Sequence, residues 1–366
     1  MSSVGWSFPD FFLCFVLMLS IGTFFWDTFT LEASLHQSER GLVREAGRGI
    51  SSNKSWALDH FRQVSLMLSL SNQSFALPPE EDLPTNQLIA ELYGDAPLLV
   101  GQNQCTDFRQ RVHNPQERWI GVAGLFNTGT NLLSQLLKHN CQMPGTISTG
   151  GSSDSSSDDD DRRENKAVLW QVPWGKHSVA TVSRNRTAPT GRGIDKDHGL
   201  VVVAVRNPFH WARSMCKNPY IVKWKHNKSN CPNLAEPVET WENEGNLIHF
   251  YNHWYQSYAE QFPFPRIIVR LEDLTLRPKE TVQEICNCAG GTMREGAFSY
   301  SVQSAKGGDG HRSTTGMVKA WKAVTSNEPN GGFPANDYRI ALKSLDMDLM
   351  RLFGYKLPPA ASFVSA

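Results

Sequence analysis

Residues 200–205 read Leu-Val-Val-Val-Ala-Val, the most β-branched run in the chain. A strand that is apolar on both faces has to be covered above and below. Sheets covered on both faces are typically those whose parallel strands are joined by crossover helices. The rest of the chain supplies matching elements. Arg118–Gly124 and Ala167–Val172 read as strands, and Ile267–Arg270 as a shorter one. Helical patterns cover Asn131–His139, Glu239–Gln261 (with Trp241, Phe250, Tyr251, Trp254 and Tyr258), Arg277–Ala289, Met317–Val324 and Asp337–Phe353. Pro278 suits the first turn of its helix. Strands alternating with helices predict an α/β fold of three layers, a central parallel sheet flanked by helices, over residues 116–358.

What precedes that region differs in kind. Residues 11–26 are apolar and uncharged, bracketed by Asp10 and Asp27. The run is shorter than the roughly 20 residues of a spanning helix, but Trp6, Phe8 and Pro9 extend it. A signal peptide would carry a basic leader, and no Lys or Arg precedes the run. A transmembrane anchor within 1–30 is the favoured reading over a cleaved signal. Residues 31–115, polar and rich in Ser and Asn with one amphipathic stretch over 56–70, are expected to form a stem. Residues 145–166 contain Gly-Gly-Ser-Ser-Asp-Ser-Ser-Ser-Asp-Asp-Asp-Asp. With like charges and nothing apolar to bury, they are expected to be a disordered surface insert.

Charge and cysteines bound the setting. The 36 Lys and Arg balance 36 Asp and Glu, which excludes a protein whose affinity for nucleic acid rests on net positive charge. Of 7 cysteines, Cys14 lies in the apolar run; Cys105, Cys141, Cys216, Cys231, Cys286 and Cys288 remain, an even set compatible with disulfides or with buried thiols. No Cys or His spacing suggests a metal site. Sequons at Asn53, Asn72, Asn185 and Asn227 favour a lumenal chain. Arg40, Arg44 and Arg48, just after the apolar run, favour the opposite orientation.

Three segments carry candidate chemistry. Gly121–Leu133 takes a strand through Asn127-Thr128-Gly129-Thr130-Asn131 into a helix. Such a turn aims backbone N–H groups and a helix N-terminus at one point, where an anion is stabilised, and the two Thr hydroxyls are candidate donors. It lacks the Gly-Lys-Ser/Thr of a nucleotide-triphosphate loop. In the second segment, Arg206 ends the apolar strand, Pro208 opens a helix and Ser214 follows two turns on. An Arg at a strand's carboxyl end offers a planar donor fork suited to phosphate. In the third, Lys176 and His177 adjoin in a turn after a strand. A His titrates near the pH at which a general base works, and a Lys offsets charge on a transferring group.

Taken together, this order of segments resembles the sulfotransferases that use 3′-phosphoadenosine 5′-phosphosulfate. Phe250-Tyr-Asn-His-Trp-Tyr-Gln-Ser-Tyr258 is similar to that family's aromatic helix, Val269-Arg-Leu-Glu-Asp-Leu274 to the strand that follows, and Lys306-Gly-Gly-Asp-Gly310 to its late basic loop. The resemblance spans about residues 117–355 and implies a P-loop-like fold. It implies that residues 127–131 hold the 5′-phosphosulfate, that Arg206 and Ser214 hold the 3′-phosphate, and that Lys306, Gly307 and Gly308 close over the nucleotide. It implies no metal. With the apolar N-terminus it implies a single-pass Golgi membrane protein with a lumenal catalytic domain and a glycan acceptor. The family's loop usually carries Lys where this chain has Asn127, so Lys176 is the expected substitute cation and His177 the expected base, with Glu242 and Glu272 next in line. Two other readings stay open: a nucleotide-binding protein of the same fold with impaired catalysis, and a nucleotide-dependent phosphotransferase.

Overall fold

In a computed structural model of the chain, the described residues are 84–361 apart from 146–166, 181–186, 188–190, 192, 228, 240–244, 262 and 301–315. The apolar run at 11–26, the amphipathic stretch at 56–70, residues 146–166 of the insert and the segment 306–310 lie outside the described residues. Among those described, no helix is long and apolar enough to cross a membrane.

The elements in chain order are α1 (Asn86–Tyr93), β1 (Leu99–Val100), α2 (Gln104–Arg111), β2 (Trp119–Gly124), α3 (Thr130–Asn140), β3 (Cys141–Gln142), β4 (Val168–Leu169) and β5 (Gly199–Val205). They continue with α4 (Pro208–Lys217), α5 (Leu247–Ala259), β6 (Arg266–Arg270), α6 (Leu271–Leu276), α7 (Pro278–Ala289), β7 (Thr292–Met293), α8 (Gly316–Val324), α9 (Ala335–Ser344) and α10 (Met347–Leu352).

A five-stranded sheet runs in the order β1-β6-β5-β2-β4. β4, β2, β5 and β6 are mutually parallel and β1 is antiparallel at the edge. Every residue of β2 and of β5 is buried, as a strand covered on both faces requires. The protein is therefore mixed α/β, with a central, mostly parallel sheet flanked by helices. Trp119, Ile120, Val122, Leu133, Leu137, Val202, Ile267, Val282 and Ile285 share one core cluster. The aromatic α5 buries Phe250, Tyr251, Trp254, Tyr255 and Tyr258.

Three disulfides join Cys105 to Cys288, Cys141 to Cys286 and Cys216 to Cys231. The first two fasten α7 to α2 and to the end of α3. The stem expected over 31–115 does not reach 115. α1 is capped by Thr85 and buries Ile89 and Tyr93, β1 pairs with β6, and α2 buries Cys105 and Phe108. The cause is visible in α2, which is too polar for an apolar stripe and is held by its disulfide.

Helix boundaries shift for local reasons. The helix expected from Glu239 begins at Leu247, after Gly245 at φ 79° and behind a capping box from Asn246 to His249. The single helix expected over 337–353 is two, because Leu345 is extended and Asp346 caps the second by accepting from Asp348 and Leu349 N–H. Of the strand expected over 167–172, Val168–Leu169 is regular strand, while Ala167 O accepts Ile120 N–H and Val172 N–H donates to Val122 O at its two ends.

Candidate functional site

The register sets Gly124 beside Ala204 and Val205 beside Arg270, so β2, β5 and β6 end level. β2 leads through α3 toward β4 on one side, while β5 leads away toward β6 on the other. That reversal creates the crevice in which open α/β sheets bind ligands. The turn after β2 lies there. Gly124 is required by crowding, since a Cβ would stand 2.8 Å from Ala204 O and 2.8 Å from Thr128 Oγ1. Gly129, at φ 86°, heads α3 in a left-handed conformation, and a Cβ there would meet Leu271 at 2.4 Å.

The turn's polar groups divide into those holding it and those facing outward. Thr128 is fully buried and donates to Leu125 O at 2.7 Å, so its hydroxyl is committed to the turn rather than to a ligand. Gly129, Thr130 and Asn131 head α3, whose first N–H groups have no partner within the helix. Asn127 also sits in the left-handed region, at φ 62°. Its amide Nδ2 donates to Asn218 O at 2.8 Å and reaches Ser214 O at 3.4 Å, while its own carbonyl accepts Arg206 Nη1 at 3.2 Å. The structure thus brings Asn127, Arg206 and Ser214 together, with the Asn127 side chain engaged by the C-terminal end of α4.

Lys176 and His177 lie against the same turn. Gly124 N–H donates to Lys176 O at 2.8 Å, which docks their loop on the end of β2. Lys176 is only 7% exposed; its Nζ donates to Asn131 Oδ1 at 2.7 Å and lies 3.6 Å from the Trp170 ring centroid. Trp170 Nε1 donates to the same Asn131 oxygen at 3.3 Å. His177 Nδ1 is 2.6 Å from Gly124 O. A carbonyl only accepts, so Nδ1 carries the proton and the Nε2 lone pair is the basic site. The imidazole packs on Phe126, centroids 4.2 Å apart, and Trp254 Nε1 holds the His177 carbonyl at 3.0 Å. The helix dipole of α3, a buried ammonium and an oriented imidazole therefore converge on one mouth.

Arg206 is partly buried, and its Nε is enclosed without a hydrogen-bond partner. Burial pulls its pKa below the ordinary arginine range, with the Glu272 carboxylate opposing. Glu272 is fully buried and accepts Asn207 N–H at 3.0 Å and Tyr355 OH at 2.7 Å. It ties the start of α6 to the start of α4. Glu242 lies outside the described residues. One turn past Arg206, His210 Nδ1 is also enclosed without a partner. Burial first, and the Arg206 charge second, push the His210 pKa down to about 4.

A cavity of about 290 Å³ opens beside Asn207 and His210, bounded by Tyr93, Ser326, Glu328, Tyr355 and Lys356. It touches neither the 124–131 turn nor Lys176 and His177, so it borders Arg206's neighbours rather than the mouth. Among the described residues no His, Cys, Asp and Glu cluster could hold a metal ion.

Sequence reasoning missed the partners. Asn131 matters through its side chain as well as its N–H, and Phe126, Trp170 and Tyr220 build the walls. A large aromatic within the strand expected over 167–172, just before the Lys176-His177 turn, was the available signal for Trp170. Comparison with family models, curated proteins and solved structures returned no match.

Proposed function

We propose that this protein is a sulfotransferase of P-loop-like fold. It moves a sulfonate group from 3′-phosphoadenosine 5′-phosphosulfate to a hydroxyl, or an amine, of a glycan. The observation that carries the reading is the position of Lys176. Its ammonium is buried at the N-terminus of α3, 2.7 Å from Asn131 Oδ1, beside the turn whose Asn127 side chain is turned away toward α4. A cation held there compensates the charge that a transferring sulfonate and its leaving phosphate develop.

The chain's own groups then take separate tasks. The N–H groups heading α3 bind the 5′-phosphosulfate. Arg206, with its unpartnered Nε, and Ser214 bind the 3′-phosphate. His177 Nε2 takes the proton of the acceptor hydroxyl as that oxygen attacks sulfur. The bond between sulfur and the bridging phosphate oxygen breaks, and adenosine 3′,5′-bisphosphate leaves with the electron pair. Lys306, Gly307 and Gly308 are proposed to close over the nucleotide. Three disulfides support an oxidising compartment, and with the apolar run at 11–26 they favour a lumenal Golgi location behind a membrane anchor.

Incubating the full chain with labelled donor and a mixed acceptor library tests this. The expected result is label in a glycan, lost in His177→Ala, with adenosine 3′,5′-bisphosphate released. Nucleotide binding without transfer to any acceptor would instead favour a binding protein of impaired catalysis. The Asn127 side chain, engaged in the protein's own hydrogen bonds, is the observation on that side. Absence of nucleotide binding would overturn both.

A further inference from the structure

Among the described residues, two Trp, Tyr or Phe side chains are exposed: Trp170 at 48% and Tyr220 at 47%. Both touch the mouth just described. Trp170 bonds Asn131 and covers the Lys176 ammonium with its ring. Tyr220 stacks on Phe126, with centroids 5.0 Å apart and planes at 18°, and Phe126 carries His177. The chain spends energy to keep Tyr220 there. Its φ is 55°, a conformation that a bulky residue adopts rarely and that tends to persist at functional positions. Ile221, 59% exposed, continues the surface. Pro219 and Tyr220 belong to the loop closed by the Cys216–Cys231 disulfide, whose Asn218 carbonyl grips Asn127. Folding alone gives no reason to leave the two exposed aromatic rings of the described residues at one opening.

We infer that Trp170 and Tyr220 form the acceptor subsite and that the group they take is a pyranose ring, presented by its C–H face. The inference rests on the sulfotransferase reading for what happens next, but not for the binding itself. A flat aromatic face matches the axial C–H groups of a pyranose. The exposed Lys217 and Asn218, next to Tyr220 in the chain, offer donors and acceptors for its hydroxyls.

The test uses the full chain in mild detergent, without donor turnover. Its retention is measured on immobilised β-1,4-linked oligosaccharides of glucose, galactose, mannose and N-acetylglucosamine, with Ser- and Tyr-containing peptides as controls. Adenosine 3′,5′-bisphosphate affinity is measured in parallel by calorimetry. The expected result is retention on at least one pyranose series, weakened about tenfold by Trp170→Ala and by Tyr220→Ala. Trp170→Phe and Tyr220→Phe should keep most of it, with nucleotide affinity unchanged in the Tyr220 variants. Equal retention by the alanine variants, or binding of peptides in place of sugars, overturns the subsite. Sugar retention through these rings without nucleotide binding leaves the subsite standing and overturns the donor assignment. Nucleotide binding with no sugar retention does the reverse.

Discussion

The depressed pKa of His210 makes a prediction about stability that needs no assumption about substrate. In the folded protein its pKa is about 4, against 6.5 for an unperturbed His, because burial and Arg206 disfavour the imidazolium. About a unit or more above pH 6.5 the residue is neutral in both states and contributes no pH dependence. As pH falls from 6.5 toward 4 the unfolded chain takes up a proton that the folded protein refuses. Stability is therefore lost on acidification and gained with rising pH across that window. The difference of about 2.5 units is worth about 3 kcal/mol, of which roughly 2.5 kcal/mol falls between pH 7 and pH 4.5. Urea unfolding of wild type and His210→Gln at intervals from pH 4.5 to 7.5 isolates the effect, because carboxylates common to both cancel in the difference. The wild-type curve should fall more steeply, by up to about 1.4 kcal/mol per pH unit. Arg213 and Glu328, also near His210, oppose each other and leave the sign intact. If Arg206 holds a phosphate, adenosine 3′,5′-bisphosphate brings negative charge and should shrink the difference. A flat difference between the two proteins across the window would refute the reasoning.

Lys176→Ala should lower turnover by about a hundredfold with donor affinity little changed, as expected for a group acting in the transition state; steady-state kinetics separate the two. Asn127→Lys should bring no gain in turnover. It forfeits the bond to Asn218 O and puts a Lys at φ 62°, where Asn is favoured, and the same assay would expose a gain. Arg206→Ala should weaken adenosine 3′,5′-bisphosphate by about ten- to a hundredfold and abolish its advantage over the analogue lacking the 3′-phosphate, as read by calorimetry. Replacing Cys216 and Cys231 together by Ser opens a loop of 15 residues. This should cost about 3 kcal/mol, or roughly 6–12 °C in Tm by calorimetry, and should weaken nucleotide binding as Asn218 loses its tether.

Much of the scaffold was legible because it rests on local pattern. Leu200–Val205 could only be a strand covered on both faces, and the Gly and Thr residues after Gly124 could only be a turn into a helix. Arg206, Ser214, Lys176 and His177 were legible as residue types at the ends of such elements. What stayed hidden was set by tertiary contact. Thr128 looks like a ligand donor until its turn closes and commits its hydroxyl to Leu125. Asn127 looks like a weakened catalytic lysine, whereas its side chain is a brace for α4. The membership of α2 in the body depends on Cys105 finding Cys288 across 183 residues, which no window of sequence contains. The break at Leu345 was present as Asp346, a capping residue whose effect an uninterrupted apolar stripe obscures.

The pairing of Cys286 and Cys288 with distant partners gives the polypeptide a closed covalent graph. Cys141 and Cys286 bound one ring, and Cys105 and Cys288 a larger ring that contains it. Any single cut between Cys141 and Cys286 leaves both ends attached through sulfur. The acidic insert, the Lys176-His177 turn, β5 with Arg206, and α5 all lie inside that span. A protease that opened the backbone at the insert would change the order in which the chain is strung without dividing the molecule. The strand-end turn and the basic pair would stay on one covalent body until a reductant released them. Seen this way the insert is topologically optional, a stretch of backbone whose continuity the rest of the protein no longer needs once its thiols have paired.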